Sequence, residues 1–202
     1  MRVLIACEFS GVVRDAFKAK GHDAWSCDLL PTERPGNHIQ GDVLSILNDG
    51  WDLMIAHPPC TYLSKAGACR LYKTAGVVDN KRYLLGLEAK EFFLKLLNSK
   101  IHKIAVENPT PLKIYKIPEP SQVIQPYQFG HPYSKRTLLW LKNLKPLVPT
   151  NVISNYIPFL PSNTGGKKKG QKHRTDKFAV RNPQEASKTF KGIADAMAEQ
   201  WG

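Results

Sequence analysis

The sequence predicts one α/β domain organised around a mostly parallel β-sheet, and three observations lead there. Short apolar runs of strand length alternate with stretches of helical periodicity, the pattern of parallel strands joined by crossover helices. The runs RVLIAC (2–7) and WDLMIA (51–56) are apolar with little polar alternation, as buried strands of a parallel sheet are. A length of 202 residues, 42% of them hydrophobic, suits one well-packed core with a small appendage and is tight for two full domains.

The elements follow in order. Residues 2–7 read as the first strand, and VVRDAFKAK (12–20) as a helix that Gly21 closes, with Ser10 and Gly11 in the joining loop. DAWSCD (23–28) is the second strand. After a turn rich in proline and glycine, HIQGD (38–42) is the third, VLSILND a brief helical stretch, and WDLMIA (51–56) the fourth. A long basic loop over residues 62–80, with Gly67 and Gly76, is expected to be a mobile element. It precedes KRYLLGLEAKEFFLKLLNSK (81–100), where Leu84, Leu85, Leu87, Phe92, Phe93, Leu96 and Leu97 fall largely on one helical stripe that should face the sheet. HKIAVEN (102–108) is another buried strand, stopped by Pro109, and residues 121–127 and 137–142 read as a closing pair of strands. These segments make a core of residues 1–142. Residues 143–182 turn rich in proline, glycine and lysine and read as an irregular basic insert. Residues 183–202 regain helical spacing, with Ala186, Phe190, Ile193, Ala194 and Met197 near one face that packs back on the core.

Composition narrows the setting. No run approaches the roughly 20 apolar residues that cross a bilayer. The start, MRVLIACEFSG, meets glycine and charge too early for a secretory signal, so a soluble cytoplasmic protein with no membrane partner is expected. Cys7, Cys27, Cys60 and Cys69 form no CxxC pair and no spacing with histidine that suggests zinc, so reduced thiols and no metal are expected. Lys and Arg number 29 against 17 Asp and Glu, a net charge of +12 with a pI near 9.6, which favours a polyanionic partner. Half of that net charge lies between residues 165 and 181, where Lys167, Lys168, Lys169 and Arg174 belong to a run that would bind phosphate without reading sequence, or stand as a solvated loop.

In a doubly wound sheet, ligands sit at the carboxyl ends of the strands. The residues at those ends are Glu8, Phe9, Ser10 and Gly11, then Asp28, then Asp42, then His57 to Cys60, then Glu107 and Asn108. An acid at the end of the second strand can accept hydrogen bonds from both hydroxyls of a ribose, which points to a nucleoside-containing cofactor. The first loop has neither GxGxxG nor GxxxxGK, so a pyrophosphate ligand is disfavoured. Cys60 follows two prolines that stiffen the chain as it leaves the sheet, beside Lys65, Arg70 and Lys73, which are expected to favour its thiolate. Glu107 ends the next strand, where a carboxylate is costly to bury unless it binds something. Together they would make a nucleophile with a partner acid.

That ordered set resembles the DNA cytosine-5 methyltransferase family. Phe9-Ser10-Gly11 is similar to the family's first motif, Asp28 to its ribose ligand, and Gly41-Asp42-Val43 to its adenine-contacting motif. PCTYLS (59–64) resembles the nucleophile motif through Pro59, Cys60 and Ser64, and Glu107-Asn108-Pro109 the Glu-Asn-Val motif. FGHPYSKRT (129–137) resembles the basic motif through Lys135 and Arg136, and FKGIADAMAEQW the last motif. His57, Thr61 and Val12-Val13 depart from the family pattern. The resemblance implies a Rossmann-like S-adenosylmethionine-dependent methyltransferase fold with helices on both faces, similar to compact phage-type members, and a monomer acting in a bacterial or phage-infected cell.

It also implies the chemistry. A Cys60 thiolate adds to C6 of cytosine, Glu107 assists at N3 with Asn108 beside it, S-adenosylmethionine gives its methyl to C5, and S-adenosylhomocysteine leaves. Phe9, Ser10, Gly11, Asp28, Asp42, Val43 and Pro59 would hold the cofactor. Ser64, Arg70, Lys73, Lys135, Arg136 and the lysine-rich run would contact DNA, whose target base must leave the duplex stack. So short an insert implies a short or relaxed recognition site. Two alternatives stand beside this reading: a non-catalytic DNA-binding relative, and a methyltransferase acting on a nucleotide or a modified pyrimidine. An amino-directed methyltransferase is disfavoured, because it would want Asn or Asp before Pro-Pro where this chain has His57.

Overall fold

The apolar runs pair in parallel because the connections between them, several of them helical, return the chain to the same edge of the sheet. The computed structural model describes residues 1–74, 76–159 and 187–202. In chain order the elements are β1 (Arg2–Ala6), α1 (Val12–Ala19), β2 (Asp23–Asp28), β3 (His38–Gln40), β4 (Leu53–Ala56), α2 (Ala68–Leu71), α3 (Asn80–Leu97) and β5 (Lys103–Asn108). There follow β6 (Gln122–Ile124), β7 (Tyr133–Ser134), β8 (Thr137–Lys142), β9 (Ile157–Pro158) and α4 (Lys191–Trp201). Seven strands form one sheet in the order β3-β2-β1-β4-β5-β8-β6. The first five are parallel, and β8 runs antiparallel to both β5 and β6. This is a Rossmann-like, mostly parallel sheet, as expected, with strand order reversing between β1 and β4.

Alternate residues of each central strand feed two cores. Val3, Ile5, Leu53, Ile55, Ala105 and Leu139 face α1 and α4, where they meet Phe17, Ile193 and Met197. Leu4, Met54, Ile104, Val106 and Trp140 face α3 through Phe93 and Leu96. Phe93 meets the Trp140 ring edge-on at 4.9 Å between centroids. Both faces are covered, which is why the strands read as continuous apolar runs.

The structure also departs from the sequence expectations. On α3, Leu84 is 58% exposed. Gly86 presses against Tyr115, and a position two residues away lies about 200° around a helix of 3.6 residues per turn, so Leu84 turns to solvent. The stretch after β3 forms only a single 3-10 turn, Val43–Ser45, whose first free amide is capped by Asp42. The strand expected at 121–127 stops at Ile124, because Pro126 opens a 3-10 turn. The loop 62–80 carries α2 and buries Leu63 and Leu71, so part of it is anchored to the core. From the insert, β9 adds to β7 as a small second sheet. Phe190 caps α4, whereas Ala186 and most of residues 143–182, including the lysine-rich run, lie outside the described residues.

Arg14 was read only as a helix residue, yet it is fully buried. Its guanidinium donates to the Ser26 and Thr32 hydroxyls at 3.1 and 3.2 Å and to the carbonyls of Arg34 and Pro35 at 3.2 and 3.3 Å, stitching the β2–β3 loop to α1. No described helix is long and apolar enough to cross a membrane.

The Gly86–Tyr115 contact gives a direct test. A Cβ at residue 86 would lie 2.1 Å from the Tyr115 ring. Gly86→Ala should therefore destabilise the fold by about 1–3 kcal/mol through overpacking, despite the better helix propensity of alanine. Urea unfolding would measure it, and a stabilised variant would show that the Gly86–Tyr115 contact is loose.

Candidate active site

The site is set by strand register. Ala6 pairs with Cys27 and Ala56, and Ala56 pairs with Val106. The next residue on each strand, Cys7, Asp28, His57 and Glu107, therefore sits at the same level on the carboxyl edge. Residues far apart in sequence are brought side by side.

His57 and Glu107 make the central contact, with His57 Nδ1 3.2 Å from Glu107 Oε2. Both are largely buried, their side chains 9% and 16% exposed. Burial pushes the Glu107 carboxyl up, but the His57 hydrogen bond, the Lys135 charge and the His57 charge outweigh it and hold the group below the usual glutamate range. Lys135 reaches this point from the corner between β7 and β8. It lies against the rings of Phe159 and Phe190 at 6.0 and 5.9 Å.

Cys60 lies one loop above, half-buried. Its thiol is pushed up by burial first and by the negative charge of Glu107 second, against the smaller opposing effects of Lys135, a backbone hydrogen bond and the Ser64 hydroxyl. This corrects the expectation that Lys65, Arg70 and Lys73 favour the thiolate. The cation that acts on Cys60 is Lys135, whereas Lys73 pairs with Asp79 at 2.5 Å and Arg70 is exposed. Ser64, expected to contact DNA, is buried here, and its side chain opposes the upward push on the Cys60 thiol.

The loop that carries Cys60 is held at several points. The Leu63 and Ser64 amides donate to the Cys60 carbonyl at 3.1 and 2.9 Å. Buried Asn108 donates from Nδ2 to the Pro58 carbonyl at 3.3 Å, tying the loop after β5 to the loop after β4. Lys65 N to Thr110 O at 2.9 Å and Leu112 N to Leu63 O at 2.7 Å zip the same two loops. Arg82, from the first turn of α3, donates to the Thr61 carbonyl at 2.7 Å and stacks 4.8 Å over the Tyr62 ring. The sequence reading missed Arg82, because nothing in local spacing indicates a contact across 21 residues.

The residues expected to hold a cofactor lie along the neighbouring edge, over β1 to β3. Gly11 adopts φ +71° to start α1, and a Cβ there would sit 2.5 Å from Arg14 Nη2. Phe9 is half-buried and Pro59 exposed, while Ser10 and Val43 are buried beneath the surface. Asp28 Oδ1 accepts from the Leu30 amide at 2.9 Å, and Asp42 Oδ1 from the Leu44 amide at 2.9 Å. Both carboxylates converge on Cys7 and Cys27. Burial and these charges push the Cys7 thiol far up and Cys27 up to about 11. Glu8 fills the amino terminus of α1, accepting from the Val13 and Arg14 amides at 2.8 and 3.2 Å and from the Ser10 hydroxyl at 3.1 Å. A Rossmann fold that binds a dinucleotide receives the pyrophosphate at that helix end, so this carboxylate disfavours it. Arg136 is exposed beside the site, and Lys167, Lys168, Lys169 and Arg174 lie outside the described residues. Among the described residues, no group of three or more His, Cys, Asp or Glu is disposed to hold a metal ion.

The coupling of Cys60 to Glu107 can be read chemically. In the free protein, iodoacetamide should alkylate Cys60 slowly at neutral pH and faster as pH rises, with exposed Cys69 as an internal reference. Glu107→Gln removes the adjacent negative charge and should raise the Cys60 rate several-fold at fixed pH. Mass spectrometry of the labelled peptides would follow both sites, and equal Cys60 rates in the two proteins would contradict the coupling.

No family model and no curated protein matches the sequence. Among solved structures, the chain is similar to the crystal structure of a triple mutant of Spodoptera frugiperda DNMT2, at 15% identity and a TM-score of 0.37; the match covers 81% of this chain and 56% of that one.

Proposed function

We propose that the chain is an S-adenosylmethionine-dependent methyltransferase acting on C5 of cytosine in DNA through a covalent Cys60–C6 bond. The observation that supports this most is the pairing of Cys60 and Glu107 at the ends of adjacent strands, a thiol that retains its proton beside a carboxylate held ionised.

Those resting states are the reverse of what the reaction needs, and one proton corrects both. C5 of cytosine becomes nucleophilic only once sulfur has added at C6. Glu107 takes the Cys60 proton and passes it to N3 as the S–C6 bond forms and the C5–C6 π electrons move toward N3. The thiol has then added across the ring, sulfur on C6 and hydrogen on N3. Lys135 offsets the negative charge while the proton is in transit. Once C5 carries its new methyl, the C5 proton is lost to solvent, the S–C6 bond breaks and the N3 proton returns through Glu107 to sulfur. Ser64 and Asn108 keep the thiol and its loop in place throughout.

The cofactor edge fits a nucleoside without phosphate. Asp28 is positioned for a ribose at a strand end, Leu29 beside it is 72% exposed and offers an apolar face to a base, and Glu8 already fills the anion site of α1. Phe9, Ser10, Gly11, Asp28, Asp42, Val43 and Pro59 would hold S-adenosylmethionine, which when bound supplies an electrophilic methyl group. DNA is the proposed macromolecular substrate. Arg70, Lys73, Lys135, Arg136 and the lysine-rich run would meet its phosphates, and the target base would be extruded.

DNA containing 5-fluorocytosine, incubated with the protein and S-adenosylmethionine, should give a covalent adduct that survives denaturation, because fluorine at C5 blocks release. Cys60→Ser should abolish it, and Glu107→Gln should slow methyl transfer by about 10²–10⁴-fold. Absence of an adduct with every cytosine-containing DNA tried would sink the proposal in favour of a non-catalytic DNA-binding protein.

A further inference from the structure

The residue that departs most from the family pattern, His57, lies at the centre of the site. Its Nδ1 faces Glu107 Oε2 at 3.2 Å. Glu107 from β5 and Lys135 from the β7–β8 corner stand around it. Its other ring nitrogen, Nε2, is buried and has no hydrogen-bond partner among the described residues. His57 borders a small cavity with room for about one water (about 10 Å³), lined also by Glu107, Lys135, Thr137, Phe190 and Met197. A buried ring nitrogen without a partner is costly unless a small polar molecule reaches it.

The parity of the strands explains the placement. Ile55 and Ala105 both face α1 and α4, and side chains alternate along a strand. His57 and Glu107, each two residues further on, therefore emerge on that same face, against the start of α4. A glycine at residue 57 would leave Glu107 with no partner there.

Resting on the methyltransferase reading above, we infer that His57 is a positioning residue. Its Nδ1–H orients Glu107 and keeps it a carboxylate, ready to take the Cys60 proton, while one water in the adjoining cavity satisfies Nε2. The ring acts through Glu107 and forms no bond to the substrate. When Glu107 gains the Cys60 proton on its other oxygen, Oε2 goes on accepting from Nδ1–H, so only the free oxygen changes from acceptor to donor. This lets the carboxyl switch between acceptor and donor without turning. It also gives His57 an effect on rate that packing alone would not.

Three variants separate orientation from bulk. His57→Asn can keep a donor where Nδ1–H stands, His57→Leu keeps volume without a donor, and His57→Gly removes the ring. Single-turnover methyl transfer to cytosine-containing DNA should fall about 10–100-fold in the leucine and glycine variants with KM little changed. It should be largely retained in the asparagine variant and partly restored to the glycine variant by added imidazole. The acid limb of the rate profile should move to higher pH in the leucine variant. Without the His57 hydrogen bond and charge, Glu107 is less depressed and loses its acceptor form sooner as pH falls. Histidine ¹⁵N NMR of the free wild-type protein should show a proton on Nδ1 and a shift of that signal in Glu107→Gln, a readout independent of turnover. An Nδ1 without a proton, or an unchanged profile in His57→Leu with a folded protein, would overturn the inference. If wild type neither methylates cytosine nor forms the adduct, the function proposed above fails, and the NMR result alone decides whether His57 holds Glu107.

Discussion

The carboxylate of Glu107 is the charge around which the carboxyl edge of the sheet is arranged. A buried ionised carboxylate is costly in a low-dielectric interior unless donors and cations face it. Here one partner comes from each flanking segment: His57 from the end of β4 on one side, and Lys135 from the approach to β8 on the other. Both depend on β5 lying between a parallel and an antiparallel neighbour, with Ala56 paired to Val106 and Leu139 to Glu107. A shift of one residue in either pairing would send His57 or Glu107 to the opposite face.

Around that charge the loop carrying Cys60 is built to be stiff. Pro58 and Pro59 limit the backbone, Asn108 and the Thr110–Leu112 segment tie it to the next strand end, and Arg82 holds its far side at Thr61 and Tyr62. The proposed attack of the thiol on one carbon of a base would benefit from such fixing, because misplacement by about 1 Å can cost orders of magnitude in rate. The edge over β1 to β3 is prepared differently. Buried Arg14 pins the β2–β3 loop, and Glu8 closes the α1 amino terminus to phosphate, so the surface left between them carries Asp28 and the exposed leucines that follow it.

Much of this was legible from the chain. The strands were found because a sheet covered on both faces needs continuous apolar runs, and α1 and α4 because their apolar residues repeat with helical period. Leu84 was misassigned because a wide apolar stripe does not say which part of it faces inward; the Gly86–Tyr115 contact decides that. The basic loop was credited with activating Cys60 because Lys65, Arg70 and Lys73 are near it in sequence. The cation that acts on the thiol is 75 residues further along, at Lys135.

The sequence by itself determined where the parallel strands end closely enough to show which reactive side chain follows each, because apolar period and proline punctuation are local properties. It therefore yielded Cys60, Glu107, Asp28 and Asp42 as residues at or just beyond strand ends, and marked His57 and Thr61 as unusual. Only the tertiary structure decided which of them meet. Strand order and register are settled by pairing between segments up to 50 residues apart and by the burial of both sheet faces, and from these follow the His57–Glu107 contact, the protonated state of Cys60 and the position of Lys135. Charge states at the site depend on distance and desolvation, quantities that exist only once the chain has folded.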